Sequence, residues 1–360
     1  MRTTLATAAG KLLLLVAVAL ATGRSLADAA PPPRLKKGPV LKHEEIPLCL
    51  AFSADGKMLA TGGFRGGPDC PVRLWDPATG KELRKFTDHK GSVTFVAFSP
   101  DGKHLACNRI LNCLEIWDLN KNTARELRTA AEGAPAMSWP MTASFTSDGK
   151  GLAAVTISDE VCSWDVESGQ ARPKQTIQAN EKHKIGFVAL YTFSADGSTL
   201  ASWGGVTEKS VRLWSSSNGK ERLKLPAYDG KTLAVAFSPD GKLLASLGAS
   251  GDGDGRRHVL YVYDAMSGKE LYNKAFDFKA KEGQFKAAVA LSPNGKTLAW
   301  ARDRTIQLLD IENGKELTAQ QDLAGGTVYC LAFSPNGKML ASGADDQCVQ
   351  LWEIASAKLK

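Results

Sequence analysis

The phrase FSPDGKLLA at residues 237–245 decides the fold, because six near-copies of it recur along the chain. The seven copies begin at residues 52, 98, 145, 193, 237, 291 and 333, so neighbouring copies start 46, 47, 48, 44, 54 and 42 residues apart. A repeat length in the forties is typical of chains built from repeated supersecondary units. Most residues of this chain are therefore expected to serve packing within and between such units.

A second phrase follows each copy of the first, for example VRLWDPATGKEL at 72–83 and IQLLDIENGKEL at 306–317. Asp-Gly and Asn-Gly between apolar runs favour tight hairpin turns, because glycine accepts a positive φ without steric cost. Short runs such as VTFVAFS at 93–99, rich in β-branched and aromatic residues, predict strands. The charged stretch KELRKF at 81–86 predicts an outer strand, which brings each unit to four strands.

The pairs Trp75-Asp76, Trp117-Asp118 and Trp164-Asp165, together with the SPDGK turns, resemble the WD-repeat β-propeller family. The resemblance covers about residues 37–360 and involves seven in-register units. It implies an all-β fold, a seven-bladed β-propeller with four antiparallel strands per blade. It implies little about activity, because this architecture supports many unrelated functions.

The two ends of the chain predict how the ring closes. The last unit reaches Lys360 before a fourth strand can begin, which would leave an open sheet edge. The segment Lys37–Lys42 precedes His43 as residues 83–88 precede His89. We therefore expect this N-terminal segment to complete the last blade as its outermost strand.

The N-terminus predicts export from the cytoplasm. In residues 1–27, two basic residues accompany the apolar run Leu12–Ala21, which is too short to span a bilayer, and small residues follow it. This pattern is typical of a cleaved secretory signal peptide of the Sec type, the alternative being an uncleaved anchor. Residues 28–36 form a Pro-rich linker. The prediction is a periplasmic or extracellular protein with no membrane span after cleavage.

Net charge argues against a nucleic-acid partner. The chain carries a formal charge of +7, and loss of Arg2, Lys11 and Arg24 with the signal peptide would leave +4, spread along the sequence. A nucleic-acid-binding domain usually concentrates basic residues in one stripe or patch. Because no such cluster is seen and export is predicted, no nucleic-acid partner is expected.

The seven cysteines do not form a metal or haem motif, since no Cys-x-x-Cys pair occurs. Cys107 and Cys113 flank a five-residue hairpin loop and could lie opposite each other as a disulfide. The alternative is that they are small buried core residues, as unpaired cysteine often is. The sequence leaves both interpretations open.

One set of residues in the first unit looks catalytic. His43, Thr61 and Asp69 supply an imidazole, a hydroxyl and a carboxylate, as a hydrolytic triad would. The family resemblance implies a different role, a buried hydrogen-bond network in which these residues join Trp75 and hold the blade together. Incomplete versions of this network are expected at His89, Trp117, Ser342, Asp346 and Trp352.

The sequence contains no recognised enzyme signature. It lacks Gly-x-Ser-x-Gly, a Walker-type phosphate loop and His-Glu-x-x-His, and its five histidines show no ligand spacing. A calcium loop at Asp252-Gly-Asp254 is an alternative to a plain solvated loop, although the oxygen ligands of an EF-hand-type loop are incomplete. We predict no catalytic residues, no cofactor and no metal.

Three segments break the repeat in length or composition: APAMSWPM at 134–141, LGASGDGDGRRH at 247–258 and FDFKAKEGQFK at 276–286. They precede a first or third strand, and such connections share one face of a propeller, where variation favours partner specificity. Tryptophan, methionine and arginine are enriched at protein interfaces. The residues predicted to contact a partner are Met137, Trp139, Met141, Asp252, Asp254, Arg256, Arg257, Phe276 and Phe278. The alternatives are that the side chains of 134–141 pack into the channel mouth and that the lysines of 276–286 only protect a strand edge.

The function predicted from the sequence is a non-enzymatic scaffold, monomeric and exported, that binds a protein or peptide on the variable face. Two alternatives come from other classes. One is an exported propeller hydrolase or lyase with its site at the channel mouth, because such enzymes can contribute one residue per blade. The other is a binder of carbohydrate or of a cell-surface polymer.

Overall fold

The computed structural model describes residues 34–355 apart from thirteen short segments. Those segments are 66–69, 88–90, 110–112, 129–139, 157–159, 174, 178–189, 204–209, 227–229, 251–256, 278–286, 303 and 321–325. In the described residues all regular structure is β, and the strands form seven four-stranded antiparallel sheets. The all-β fold with four strands per unit is thereby confirmed.

Each sheet is one blade, formed by consecutive strands in blades 1 to 6. Blade 1 comprises β2 (Ile46–Phe52), β3 (Leu59–Phe64), β4 (Val72–Trp75) and β5 (Glu82–Phe86). Blade 2 comprises β6 (Val96–Phe98), β7 (His104–Arg109), β8 (Cys113–Asp118) and β9 (Thr123–Arg128). Blade 3 comprises β10 (Pro140–Phe145), β11 (Gly151–Thr156), β12 (Glu160–Asp165) and β13 (Gln175–Thr176).

The remaining blades follow the same order until the last. Blade 4 comprises β14 (Leu190–Phe193), β15 (Thr199–Trp203), β16 (Arg212–Ser215) and β17 (Glu221–Lys224). Blade 5 comprises β18 (Gly230–Phe237), β19 (Leu243–Ser250), β20 (Arg257–Asp264) and β21 (Glu270–Asp277). Blade 6 comprises β22 (Ala287–Leu291), β23 (Thr297–Arg302), β24 (Thr305–Asp310) and β25 (Glu316–Gln320). Blade 7 comprises β26 (Val328–Phe333), β27 (Met339–Ala344), β28 (Cys348–Ala355) and β1 (Arg34–Lys42).

The repeated phrase forms the turn between the first and second strands of each blade. In blade 1, Gly56 has a φ of 70°, which a glycine adopts without strain. The Ser53 hydroxyl and the Lys57 backbone amide both donate to Asp55 Oδ1, at 2.7 and 3.0 Å. These two bonds lower the pKa of Asp55. The same Ser/Thr-to-Asp/Asn bond recurs in the other six blades, so the phrase is a turn-forming sequence.

The seven blades form a closed ring. The first strands of successive blades contact one another in the order β2, β6, β10, β14, β18, β22 and β26, and β26 contacts β2 again. They surround a central channel of about 370 Å³. The inner strand of every blade therefore faces the channel, and the fourth strand lies at the rim.

The ring closes through the N-terminal strand, as predicted. β1 pairs antiparallel with β28 of the last blade, with Leu41 opposite Val349. A bulge interrupts the pairing at Gly38 and Pro39, and Gln350 Nε2 donates to both freed carbonyls, at 2.9 and 3.2 Å. Because proline offers no amide hydrogen to a ladder, an outermost strand accommodates it. The strand begins at Arg34, three residues before the predicted start of the propeller.

The hydrophobic core is divided among the interfaces between blades. Seven clusters of buried side chains are present in the described residues, and each is shared by two neighbouring blades. In the cluster that joins blades 7 and 1, Leu41 and Leu351 pack with Leu59 and Trp75. Full burial of one such leucine contributes about 1.5–3 kcal/mol. Blade-to-blade packing thus holds the ring together.

Cys107 and Cys113 do not lie opposite each other, contrary to one interpretation of the sequence. On the β7–β8 hairpin, Cys107 pairs with Glu115, whereas Cys113 pairs with Arg109. The ladder continues to the pair of Arg109 with Cys113, so the two cysteines are offset by two positions along it. Cys107 is buried in the cluster between blades 1 and 2.

Candidate interaction faces

The antiparallel order of the strands gives the disc two different faces. The turns between first and second strands, and between third and fourth strands, lie together on what we call the turn face. The connections that precede the first and third strands lie on the opposite side, which we call the loop face. The turn face repeats the same short sequence, whereas the loop face differs from blade to blade.

The set of residues that resembles a triad is a buried network in blade 1. Thr61 Oγ1 accepts a hydrogen bond from Trp75 Nε1 at 2.9 Å and lies 2.8 Å from His43 Nε2. His43 Nδ1 lies 3.0 Å from the carbonyl oxygen of Leu41 in β1. A neutral imidazole protonated at Nδ1 satisfies every one of these bonds, with the threonine donating to Nε2. Asp69, the fourth predicted member, lies outside the described residues.

Burial makes this network unsuitable for hydrolysis. Thr61 is 0% exposed and His43 only 8% exposed, so a substrate cannot reach the hydroxyl. Burial also lowers the pKa of His43, which keeps the imidazole neutral. The arrangement can couple β1, β3 and β4 through hydrogen bonds, which is a structural role.

The other tryptophans find different partners. In blade 2 the Trp117 indole donates to the buried carboxylate of Glu115 at 2.9 Å, since Cys107 occupies the position of the hydroxyl. In blade 7, Trp352 donates to Ser342 Oγ at 2.9 Å. Asp346, predicted beside them, instead accepts from the Cys348 amide at 3.2 Å, and burial raises its pKa. His89 lies outside the described residues.

Blade 4 contains a pair that the sequence analysis missed. Trp214 Nε1 donates to Ser202 Oγ at 2.8 Å, and both side chains are buried. Ser202 stands nine residues after the start of its phrase at 193, as Thr61 does after 52 and Ser342 after 333. Comparing that position in all seven copies would have found it.

A buried ion-pair group lies beside the blade 1 network. Arg73 Nε donates to Glu45 Oε1 at 2.9 Å, and Nη1 donates to Glu82 Oε2 at 2.6 Å. Arg73 and Glu45 are almost completely buried. Removing one partner of a buried pair usually costs about 3–5 kcal/mol, because the other charge remains unpaired. This group therefore fixes the connection that leads into β2 at the loop face.

The predicted partner-binding residues are only partly described. Six of them lie outside the described residues: Met137, Trp139, Asp252, Asp254, Arg256 and Phe278. Met141 lies in the bulge near the start of β10, Arg257 begins β20, and Phe276 is opposite His258 near the end of β21. By strand order all three positions lie at the loop face, in blades 3 and 5, which blade 4 separates.

Among the described residues, the loop face carries two exposed apolar side chains that were not selected from the sequence. Phe64 ends β3 and is 46% exposed, and Leu190 begins β14 and is 42% exposed. Beside Phe64, Arg65 forms an exposed ion pair with Glu44 at 2.7 Å. In blades 1 and 4 the first and second strands form a hairpin next to the channel. Both apolar residues lie at the open end of that hairpin, near the channel mouth. A repeat pattern predicts burial along strands and gives no signal at their ends.

The channel itself is lined mostly by apolar residues, together with Thr192, Tyr329 and two cysteines. No charged side chain is among its described lining residues. Cys49 and Cys330 are part of that lining, and burial raises their pKa, to about 12 for Cys330. A thiol with a raised pKa is a poor nucleophile at neutral pH. In the described part of the chain no group of three potential metal ligands occurs, and no helix is long and apolar enough to cross a bilayer.

Comparison with known proteins gives matches over most of the chain. The family model "WD domain, G-beta repeat" matches residues 38–76, 80–118 and 316–353. Protein tipD of Dictyostelium discoideum is 25% identical over 94% of this chain and 52% of its own length. The small ribosomal subunit protein RACK1y of Oryza sativa subsp. japonica is 30% identical over 49% of this chain and 50% of its own length. The small ribosomal subunit protein RACK1 of Medicago sativa is 26% identical over 88% of this chain and 97% of its own length.

The matched part of the chain spans about half the length of tipD and of RACK1y. These relatives also contradict the periplasmic or extracellular location predicted from the N-terminus. A small ribosomal subunit protein is a component of the ribosome, which is an intracellular particle. The prediction was wrong because it rested on the length and charge of one apolar run. Residues 1–33 lie outside the described residues.

Proposed function

This chain belongs to the WD-repeat β-propeller proteins, and from that premise we propose that it is a non-enzymatic scaffold binding a protein or peptide partner on its loop face. The observation that carries the proposal is the contrast between the two faces. One hydrogen-bonding pattern repeats through all seven turns, whereas the connections on the loop face differ in length and composition. Variation on a rigid scaffold is typical of a recognition surface.

The non-enzymatic role is supported by the chemistry of the buried groups. The hydroxyl, imidazole and indole of blade 1 use their hydrogen-bonding capacity on one another. The channel thiols have raised pKa values. Neither the blade 1 hydroxyl nor the channel thiols are therefore activated for nucleophilic attack.

The partner is proposed to combine an apolar anchor with charged groups. Phe64 and Leu190 offer apolar area near the channel mouth, and Arg65 with Glu44 offers both signs of charge beside Phe64. Interfaces are commonly built this way, with an apolar centre and a polar rim. The RACK1 relatives, named as small ribosomal subunit proteins, are components of a larger assembly, which is consistent with a scaffold.

The test compares variants of the two faces in binding to partners captured from native extract. Phe64→Ser and Trp139→Ala should each weaken a loop-face partner by about 1 kcal/mol or more, which is typical of an interface anchor. Lys242→Ala, at an exposed turn on the other face, should leave binding unchanged. Thermal unfolding must be the same for all three variants. Loss of binding from Lys242→Ala alone would place the partner on the turn face and contradict the proposal.

A further inference from the structure

The turn face is not uniform, although its backbone repeats. The turn between first and second strands holds aspartate in blades 1 to 5, whereas blades 6 and 7 hold Asn294 and Asn336. These two blades are neighbours in the ring. The substitution therefore removes two adjacent negative charges from one sector of the turn face.

The lysine of the turn loses its ion-pair partner in this sector. In blades 1, 2 and 5 the turn lysine lies 3.4–4.0 Å from its own aspartate. Lys296 and Lys338 occupy the same position in blades 6 and 7, and both are exposed. Among the described residues neither has a carboxylate within ion-pair distance. Two ammonium groups thus remain available to an external anion.

The asparagines themselves present donors where aspartate presents acceptors. Asn336 Oδ1 accepts from the Ser334 hydroxyl at 2.8 Å and from the Lys338 amide at 2.9 Å. Asn294 Oδ1 accepts the equivalent pair, at 2.7 and 3.0 Å. Because the backbone amide can only donate, these bonds fix the orientation of each side-chain amide. The Nδ2 groups are therefore directed away from the turns, with two N–H donors each.

An apolar groove of about 550 Å³ separates the two turns. Pro293 and Pro335 form part of its walls, with Phe333 and Ile354 at its base, and the lining is completed by Ser292, Asn294, Thr297, Asn336, Gly337 and Lys338. A Cβ placed on Gly337 would lie 3.6 Å from Pro293 Cδ, so the two blades meet along this groove.

The nearby carboxylate of Glu353 does not neutralise the groove. Residues 353 and 354 are adjacent on β28 and therefore point to opposite faces of the blade. Ile354 packs toward blade 6, in the cluster shared by blades 6 and 7. Glu353 is paired with Met339, which packs toward blade 1, and it forms an exposed ion pair with Lys36 at 3.2 Å. The groove is thus positive, donor-rich and apolar at its base.

We propose that this groove is a second binding site, which takes an acidic peptide segment of a protein partner. A glutamate or aspartate carboxylate would accept hydrogen bonds from the asparagine amides and pair with Lys338, the charged residue of the lining. A neighbouring leucine-like side chain would pack between Pro293 and Pro335. The site is on the face opposite to the proposed loop-face site, so an experiment can contradict either proposal without affecting the other.

The probe is a dye-labelled, capped octapeptide of alternating glutamate and leucine, and its binding to the full chain is measured by fluorescence anisotropy. The double change Asn294→Asp and Asn336→Asp should weaken binding about tenfold or more, because like charges then face the peptide. It should not alter thermal unfolding, since aspartate makes the same turn bonds in five blades. Lys338→Ala should weaken binding in the same direction.

Two matched controls separate charge from other causes. Asp101→Asn with Asp148→Asn, in the neighbouring blades 2 and 3, should leave binding no weaker. The octapeptide with glutamine in place of glutamate should bind about tenfold more weakly than the acidic one. Equal binding of both peptides, or undiminished binding to the double aspartate variant, overturns the proposal. It is also overturned if Phe64→Ser abolishes binding of the peptide while Lys338→Ala does not, since the peptide would then occupy the loop face.

Discussion

At the scale of single residues, the position nine residues after the start of each phrase decides what a blade's buried tryptophan can do. Where that position holds Thr61, Ser202 or Ser342, an indole N–H donates to its hydroxyl. Where it holds Cys107, the indole turns to Glu115 instead. A buried indole N–H left unpaired costs about 1–3 kcal/mol, and in blades 1, 2, 4 and 7 a nearby residue supplies the acceptor for this tryptophan.

His43→Ala is expected to lower the free energy of unfolding by about 1–3 kcal/mol. The change removes the imidazole nitrogen that accepts a hydrogen bond from the Thr61 hydroxyl, so that buried hydroxyl loses its acceptor. It also removes the bond to the carbonyl of Leu41. Chemical denaturation of wild type and variant measures the difference, with His104→Ala, a partly exposed histidine, as the matched control.

The pH dependence of the same variant gives an independent check. The pKa of His43 lies below its ordinary value of 6.5 in the folded chain, because burial disfavours the charged ring. At pH values between the lowered pKa of the folded chain and 6.5, His43 is protonated in the unfolded chain but not in the folded chain. The free energy of unfolding therefore falls as the pH drops below about 6.5. His43→Ala should show a shallower loss over this range than wild type. Parallel pH profiles would show that His43 is not held neutral by the fold.

At the scale of strands and turns, the local chemistry was strong enough to predict most elements from sequence. The Ser–Asp–Gly phrase specifies a turn by its own hydrogen bonds, so the hairpins and their number follow from counting phrases. Strand β1, which closes the ring, was also predicted, because Lys37–Lys42 precede His43 as residues 83–88 precede His89. Glu115 and Phe64 could not be predicted, because indole pairing and exposure at strand ends depend on neighbouring strands and not on the repeat.

Removing strand β1 is expected to open the last blade. A chain beginning at Arg34 should remain a stable monomer, whereas a chain beginning at His43 should lose the whole β1–β28 ladder and expose the β28 edge. Unpaired edges favour association with other chains. The shorter chain should therefore unfold at a lower temperature and appear partly as dimers or larger species in size-exclusion chromatography with light scattering. A monomer with an unchanged unfolding temperature would falsify this account of ring closure.

At the scale of the whole molecule, stability is distributed around the ring. Each of the seven clusters joins two blades, and none of them belongs to one blade alone among the described residues. In an open array of repeats, each unit contacts only its neighbours and the ends unfold first. The pairing of β1 with β28 and the contact of β26 with β2 leave no such end. A rigid ring of this kind can present two faces of different chemistry without moving its blades.

Closure predicts that the seven blades unfold together. Leu213 packs in the cluster between blades 4 and 5, and Leu308 packs in the cluster between blades 6 and 7, and both are 0% exposed. Changing either one to alanine should lower the free energy of unfolding by about 2–5 kcal/mol, through lost burial and the cavity left behind. Because the two interfaces belong to one ring, both variants should retain a single transition in calorimetry, with equal calorimetric and van't Hoff enthalpies. If Leu308→Ala instead produced a separate early transition while Leu213→Ala did not, blades 6 and 7 would be an independent unit and the ring would not be cooperative.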